Sequence, residues 1–200
     1  MTSLRVVLAT NNPDKAVEIS AILGDGIELV PRPGHVPDVE ETEDTLEGNA
    51  LLKARALVEA TGVASIADDT GLEVDALGGA PGVYSARYAG ENVTYADNVN
   101  KLLSQLALHQ GAPRTARFRT VAVAVFPSGE QIVAHGTVEG VIATEARGMR
   151  GFGYDPVFIA DDDGQGRTFA QMSAAEKNAL SHRGRAFRAL AEALAARPHD

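Results

Sequence analysis

The order of hydrophobic periods constrains this chain more than any other feature. Short apolar runs of strand length alternate with segments of helical spacing over the first seventy residues, and a long alternating hairpin follows. Residues 4–9, LRVVLA, are apolar at every position but Arg5, as expected for a strand buried on both faces. The turn TNNPDK comes next, then VEISAIL with Val17, Ile19, Ile22 and Leu23 at helical spacing. Asn12 can cap this helix, Pro13 suits its first position and Gly24 can end it. IELVP predicts a second strand, and residues 32–44 form a loop rich in Pro and acids. A helix is predicted over 45–61, with Leu46, Ala50, Ala54, Leu57 and Val58 as its inward stripe and Gly62 closing it. A strand over 64–67 is expected to stop on Asp68 and Asp69, because aspartate is disfavoured in strands. TYADNVNKLLSQLAL reads as a helix, residues 115–126 as a long strand, and PSGE as the turn to a partner strand, QIVAHGTVEGVIA. Ser173 and Glu176 form a capping box ahead of one helix, and RAFRALAEALAA makes the last. Strand–helix alternation around a central hairpin implies an α/β fold on a mixed sheet.

Two hundred residues, 44% of them hydrophobic, suffice for one ample core and a single domain spanning 1–200. No run of about 18 apolar residues occurs and the N-terminus lacks a charged-then-apolar leader, so a soluble cytoplasmic protein without a membrane partner is expected. The absence of cysteine excludes disulfides, thiolate zinc sites and cysteine nucleophiles. A net charge of −9 argues against nucleic acid as a partner, since backbone binding needs a basic surface. An acidic protein can still bind one small anion where its few cations converge or a metal supplies charge.

Five segments could supply such a site. The polar turn from strand to helix presents backbone N–H groups, with Thr10, Asn11, Asn12 and Lys15 adding side-chain groups; simple helix capping explains the same residues. The acidic loop holds Glu40 and Glu41, and a hard cation such as Mg²⁺ needs only one or two carboxylates beside water and phosphate oxygens. Asp68 and Asp69 fit either a solvated Asp-Thr-Gly turn or a site for a divalent cation and an activated water. GFGYDP, residues 151–156, is either a surface loop packing one ring inward or a platform for a base. Lys177, His182 and Arg183 would not share a face of one unbroken helix, but a break near Ser181 would let them converge on an anion. Neither the P-loop nor the dinucleotide fingerprint is present.

With VLATNNPDK (7–15), EETEDTLEGNALLKA (40–54), ADDTGLEVDALGGAPGVYSARYAG (67–90), GFGYDPVF (151–158) and EKNALSHRGRA (176–186) in this order, the chain resembles the inosine/xanthosine triphosphate pyrophosphatases nearly end to end. The resemblance implies a two-lobed α/β fold on a long mixed sheet, substrate in the cleft between the lobes, and a homodimer. It implies Mg²⁺-dependent hydrolysis of deaminated purine nucleoside triphosphates between the α and β phosphates. Carried over, Thr10, Asn11, Asn12, Pro13, Asp14 and Lys15 cradle the triphosphate with help from Lys53. Asp69 is the general base, with Asp68 and Glu40 or Glu41 helping to hold metal. Thr70 contacts substrate, while Phe152, Gly153, Tyr154 and Asp155 join Lys177, His182 and Arg183 in holding the base and phosphates. The family's turn often reads T-G-N, and here Asn11 takes the place of that Gly. If the Arg183 guanidinium faces position 6 of the purine, its donors favour a 6-oxo base over adenine. Rival readings are an aspartyl-nucleophile phosphatase, whose alternating acids these adjacent ones do not match, a pyrophosphatase for modified pyrimidine nucleotides, and a nucleotide-binding regulator without turnover.

Overall fold

The computed structural model describes residues 4–197. β1 (Leu4–Leu8) pairs in parallel with β2 (Ile27–Val30) and with β3 (Ser65–Val74). It is buried on both faces as predicted, with Val6 and Leu8 entering one hydrophobic cluster and Val7 and Ala9 another. α1 (Pro13–Leu23) starts where expected: the Asn12 side chain accepts from the Asp14 and Lys15 N–H groups at 2.9 and 3.2 Å. Ile19 and Leu23, four apart, bury the helix, whereas Val17 falls off their stripe and is 71% exposed. α2 (Leu46–Thr61) is capped by Thr45, buries Ala50, Ala54 and Leu57, and ends at Gly62 in the left-handed conformation.

One expectation fails here. The strand does not stop at the acidic pair: β3 runs unbroken from Ser65 to Val74, with Asp68 and Asp69 both buried inside it. Aspartate's poor strand propensity is overridden by cations that reach both carboxylates from packed helices.

β4 (Pro81–Gly82) adds antiparallel to β3. α3 (Tyr95–Leu108) carries a capping box of Thr94 and Asp97. β5 (Thr115–Val125) and β6 (Gln131–Ile142) form the anticipated pair, and β7 (Phe158–Ala160), too short to be read from the sequence, lies antiparallel to β6. α4 (Ala174–Leu180) has the predicted Ser173–Glu176 box, and α5 (His182–Ala195) begins after the break at Ser181. The seven-stranded mixed sheet has the order β2-β1-β3-β5-β6-β7, with β4 beside β3.

The chain forms two compact units. One comprises the chain through Asp69, Thr120–Gly136 and the chain from Arg183 on; the other comprises Thr70–Arg119 and Thr137–His182. The first has two hydrophobic clusters. In one, Val6, Leu8, Ile19 and Ile66 pack with Phe187 and Leu190; in the other, Val7 and Ala67 pack with Ala50, Ala54 and Leu57. The second unit has one cluster, including Leu72, Leu102, Phe118, Phe158 and Phe169. Among the described residues, no helix is long and apolar enough to cross a membrane.

Candidate active site

Consecutive side chains on a strand point to opposite faces, and the acidic pair divides in this way. Asp68 shares the face of Ile66 and meets residues of α1 and α5, while Asp69 shares the face of Ala67 and meets α2. Lys15 Nζ lies 3.2 Å from Asp68 Oδ2, and Arg183 Nη2 donates to the same oxygen at 3.4 Å. Arg183 also donates through Nη1 to Glu18 Oε2 at 2.7 Å. Burial alone would raise the Asp68 carboxyl, but Lys15 and then Arg183 outweigh it and hold the group well below the usual carboxylate range. The cost of burial falls on Lys15, whose ammonium is lowered by desolvation despite the help of Asp68.

On the other face, Lys53 Nζ lies 2.8 Å from Glu41 Oε1 and 3.4 Å from Asp69 Oδ1. Asn49 Nδ2 donates to Asp69 Oδ2 at 3.4 Å. Burial, with the neighbouring Glu41, raises the Asp69 carboxyl against the pull of Lys53. Lys53 is itself raised, since Asp69 and Glu41 together outweigh its desolvation. Asn49 has no place in the sequence reading, though a signal exists. It stands four residues before Lys53 on α2, so both reach the same side of the helix beside the apolar stripe.

The TNNPDK turn is more self-contained than an open anion cradle. Thr10 Oγ1 accepts from the Asn12 N–H at 3.1 Å, and Asn12 caps the next two N–H groups. Pro13 opens α1 and Asp14 stands exposed in its first turn. Asn11 bonds to Arg32 and Asp38 of the acidic loop. Glu41 reaches Lys53, while Glu40 is exposed.

The second unit gathers another set. Asp155 is buried, accepts from the Phe152 N–H at 2.9 Å and forms a close ion pair with buried Lys177. The Lys177 ammonium sits 4.7 Å from the centre of the Phe152 ring, a cation–π contact, and Tyr95 packs against the same ring at 5.8 Å. His182 is buried and stacks on Phe118 with centroids 4.3 Å apart. Tyr154 turns into the core, where its hydroxyl donates to the Ser85 carbonyl at 2.9 Å, and burial pushes its phenol up. Thr70 is half-buried at the first position of this unit, and Gly153 has φ 59° in the loop.

Gly151 tests how closely this loop is built. Its φ is 70°, and a Cβ placed there would sit 2.0 Å from Asp155 Oδ2. Gly151→Ala is expected to destabilise the fold by about 1–3 kcal/mol and to push Asp155 off Lys177. Urea denaturation checks the first effect; an unchanged midpoint would contradict the packing described.

Thus the first unit is an α/β layer whose sheet carries a buried carboxylate–cation cluster, and the second holds an ion pair beneath an aromatic ring. The chain belongs to the Ham1 family, whose sequence model matches residues 6–193. It is 46% identical over 194 residues to the dITP/XTP pyrophosphatase of Streptomyces coelicolor, covering 93% of this chain and 94% of that protein. The dITP/XTP pyrophosphatase of Bacillus subtilis is 44% identical over 193 residues, covering 95% of this chain and 96% of that one. The solved structure of a HAM1 protein from Coxiella burnetii superposes with a TM-score of 0.87 at 41% identity, covering 96% of this chain and 98% of that one.

Proposed function

We propose that this chain hydrolyses deaminated purine nucleoside triphosphates (ITP, dITP and XTP) to the monophosphate and pyrophosphate, removing them from the pool that feeds DNA and RNA synthesis. The observation that carries this reading is kinship: identities of 44% and 46% to two dITP/XTP pyrophosphatases, each over more than nine tenths of both chains. The buried cluster supports it chemically. In this reading Asp69, held by Asn49 and Lys53, accepts the proton of the attacking water. Lys15 offers its ammonium to phosphate oxygens, and the Phe152–Lys177–Asp155 group takes the base. Thr10, Asn12, Thr70 and His182 remain candidates for contacts with substrate.

Among the described residues, no three His, Cys, Asp or Glu side chains converge as a metal-ligand set. A Mg²⁺ ion bound with a triphosphate needs fewer, and Glu41 and Asp69 would hold it in this reading: their carboxylates already converge on one cation, the Lys53 ammonium. When bound, the ion would neutralise phosphate charge and activate water. Turnover is expected to vanish in chelator and to return with Mg²⁺. Full activity in metal-free buffer would remove the metal from the proposal. The homodimer rests on the family resemblance, and sedimentation would test it; the absence of cysteine suits a cytoplasmic location.

The deciding assay is pyrophosphate release from ITP, dITP, XTP and ATP side by side. A site built to satisfy a 6-oxo group rejects a 6-amino group because buried polar groups are left unpaired, by as much as about 10⁴–10⁵-fold. ITP is therefore expected to outrun ATP by orders of magnitude. Equal rates, or free phosphate in place of pyrophosphate, would overturn the assignment.

A further inference from the structure

Glu41 sits on a long segment without helix or strand between β2 and α2, yet its carboxylate holds one place against Lys53. Two pins flank it. Behind it, Asn49 Oδ1 accepts from the Glu43 N–H at 3.0 Å and its Nδ2 donates to the Glu43 carbonyl at 3.2 Å. Ahead of it, the Arg32 guanidinium gathers three acceptors. Nη1 donates to Asn11 Oδ1 at 2.6 Å and lies 3.2 Å from Asp38 Oδ1, while Nη2 donates to the Pro37 carbonyl at 2.8 Å. Asn11 Nδ2 donates back to Asp38, closing a ring of Arg32, Asn11 and Asp38.

A lone surface ion pair contributes little, but Arg32 is 11% exposed and its planar fork serves several acceptors at once. The ring joins the acidic loop to the turn that bears Lys15, and it depends on Asn11 for both an acceptor and a donor. Glycine there would offer neither hydrogen bond.

We propose that Arg32 is a positioning residue. With Asn11 it locks the loop to the TNNPDK turn and so fixes Glu41 relative to Asp69, an inference that rests on the pyrophosphatase reading for its catalytic consequence. A misplacement of about 1 Å at a distance from the chemistry can cost about 10²-fold. Arg32→Ala is therefore expected to lower kcat for ITP by about 10- to 100-fold with little change in KM.

Hydrogen exchange on the substrate-free protein tests the lock without turnover. In Arg32→Ala the hydrogen-bonded amides of the loop, Val36 and Glu43, are expected to exchange about tenfold or more faster, while those of β1 and β3 keep their protection; about tenfold corresponds to losing one charge-assisted hydrogen bond. Asn11→Gly should act similarly, and the double variant should add little to either single one, because both break one ring. Unchanged loop exchange, or additive effects on it, would overturn the lock. Faster exchange with unchanged kcat, or a loss confined to KM, would overturn the positioning role, the latter by pointing to direct substrate contact. If the wild type hydrolyses none of ITP, dITP and XTP, the pyrophosphatase reading fails, while the exchange measurements still decide whether the lock exists.

Discussion

Asp69→Asn is expected to lower ITP turnover by about 10²–10⁴-fold, the usual contribution of a general base, and to leave the fold intact. Burial raises the Asp69 carboxyl above its ordinary value, so its ionised form is penalised in the folded state. By linkage, ionising this group costs stability as pH rises through the unfolded value of about 3.9. Replacing it with a neutral amide removes that penalty. The variant should therefore unfold at the same urea concentration as the wild type or a higher one. Near wild-type turnover in a folded Asp69→Asn protein would remove the residue from the chemistry.

Asp68 has the opposite sign. Lys15 and Arg183 hold its carboxyl below the ordinary range, so it stabilises the fold above the unfolded value of about 3.9 and loses that contribution as pH falls toward its folded value. The larger effect comes from removing its partner. Arg183→Ala would leave Asp68 and Glu18 without a guanidinium that is itself 3% exposed. Breaking a buried pair from one side typically costs about 3–5 kcal/mol. Urea denaturation at neutral pH should show a loss of that order, and adding Asp68→Asn to Arg183→Ala should recover part of it. A stability within about 0.5 kcal/mol of the wild type, the range of ordinary surface substitutions, would contradict the buried cluster.

The contrast between the two acids explains what the sequence could and could not tell. Caps, breaks and periods were readable because they are local: Asn12 and Pro13, Gly62, the Ser173–Glu176 box and the break at Ser181 each depend on residues within a few positions. The course of β3 was not. Its two aspartates are tolerated only because Lys15, Lys53 and Arg183 arrive from three helices, and no local rule carries that information. A strand that ends at residue 67 carries no alternation into the acidic pair, whereas the longer β3 sends Asp68 and Asp69 to opposite faces. The roles of Asn49 and Arg32 are not legible locally for a related reason: each acts on a loop whose path is set by tertiary contacts. The motifs themselves were clear, and family kinship, unlike residue roles, follows from them directly.

Neither unit is written as one stretch of chain, and this has a bearing on biosynthesis. Val6, Leu8 and Ile19 are made early, but they share a cluster with Ala186, Phe187 and Leu190 of the final helix. Asp68 likewise waits for Arg183. A nascent chain stalled anywhere before α5 has emerged therefore exposes apolar surface and a poorly neutralised acid in its first seventy residues. The segments of the other unit are complete once His182 has been made. The unit whose segments begin earlier in this chain is thus the one that closes later, a long-range arrangement of the kind that slows folding and lengthens reliance on chaperones.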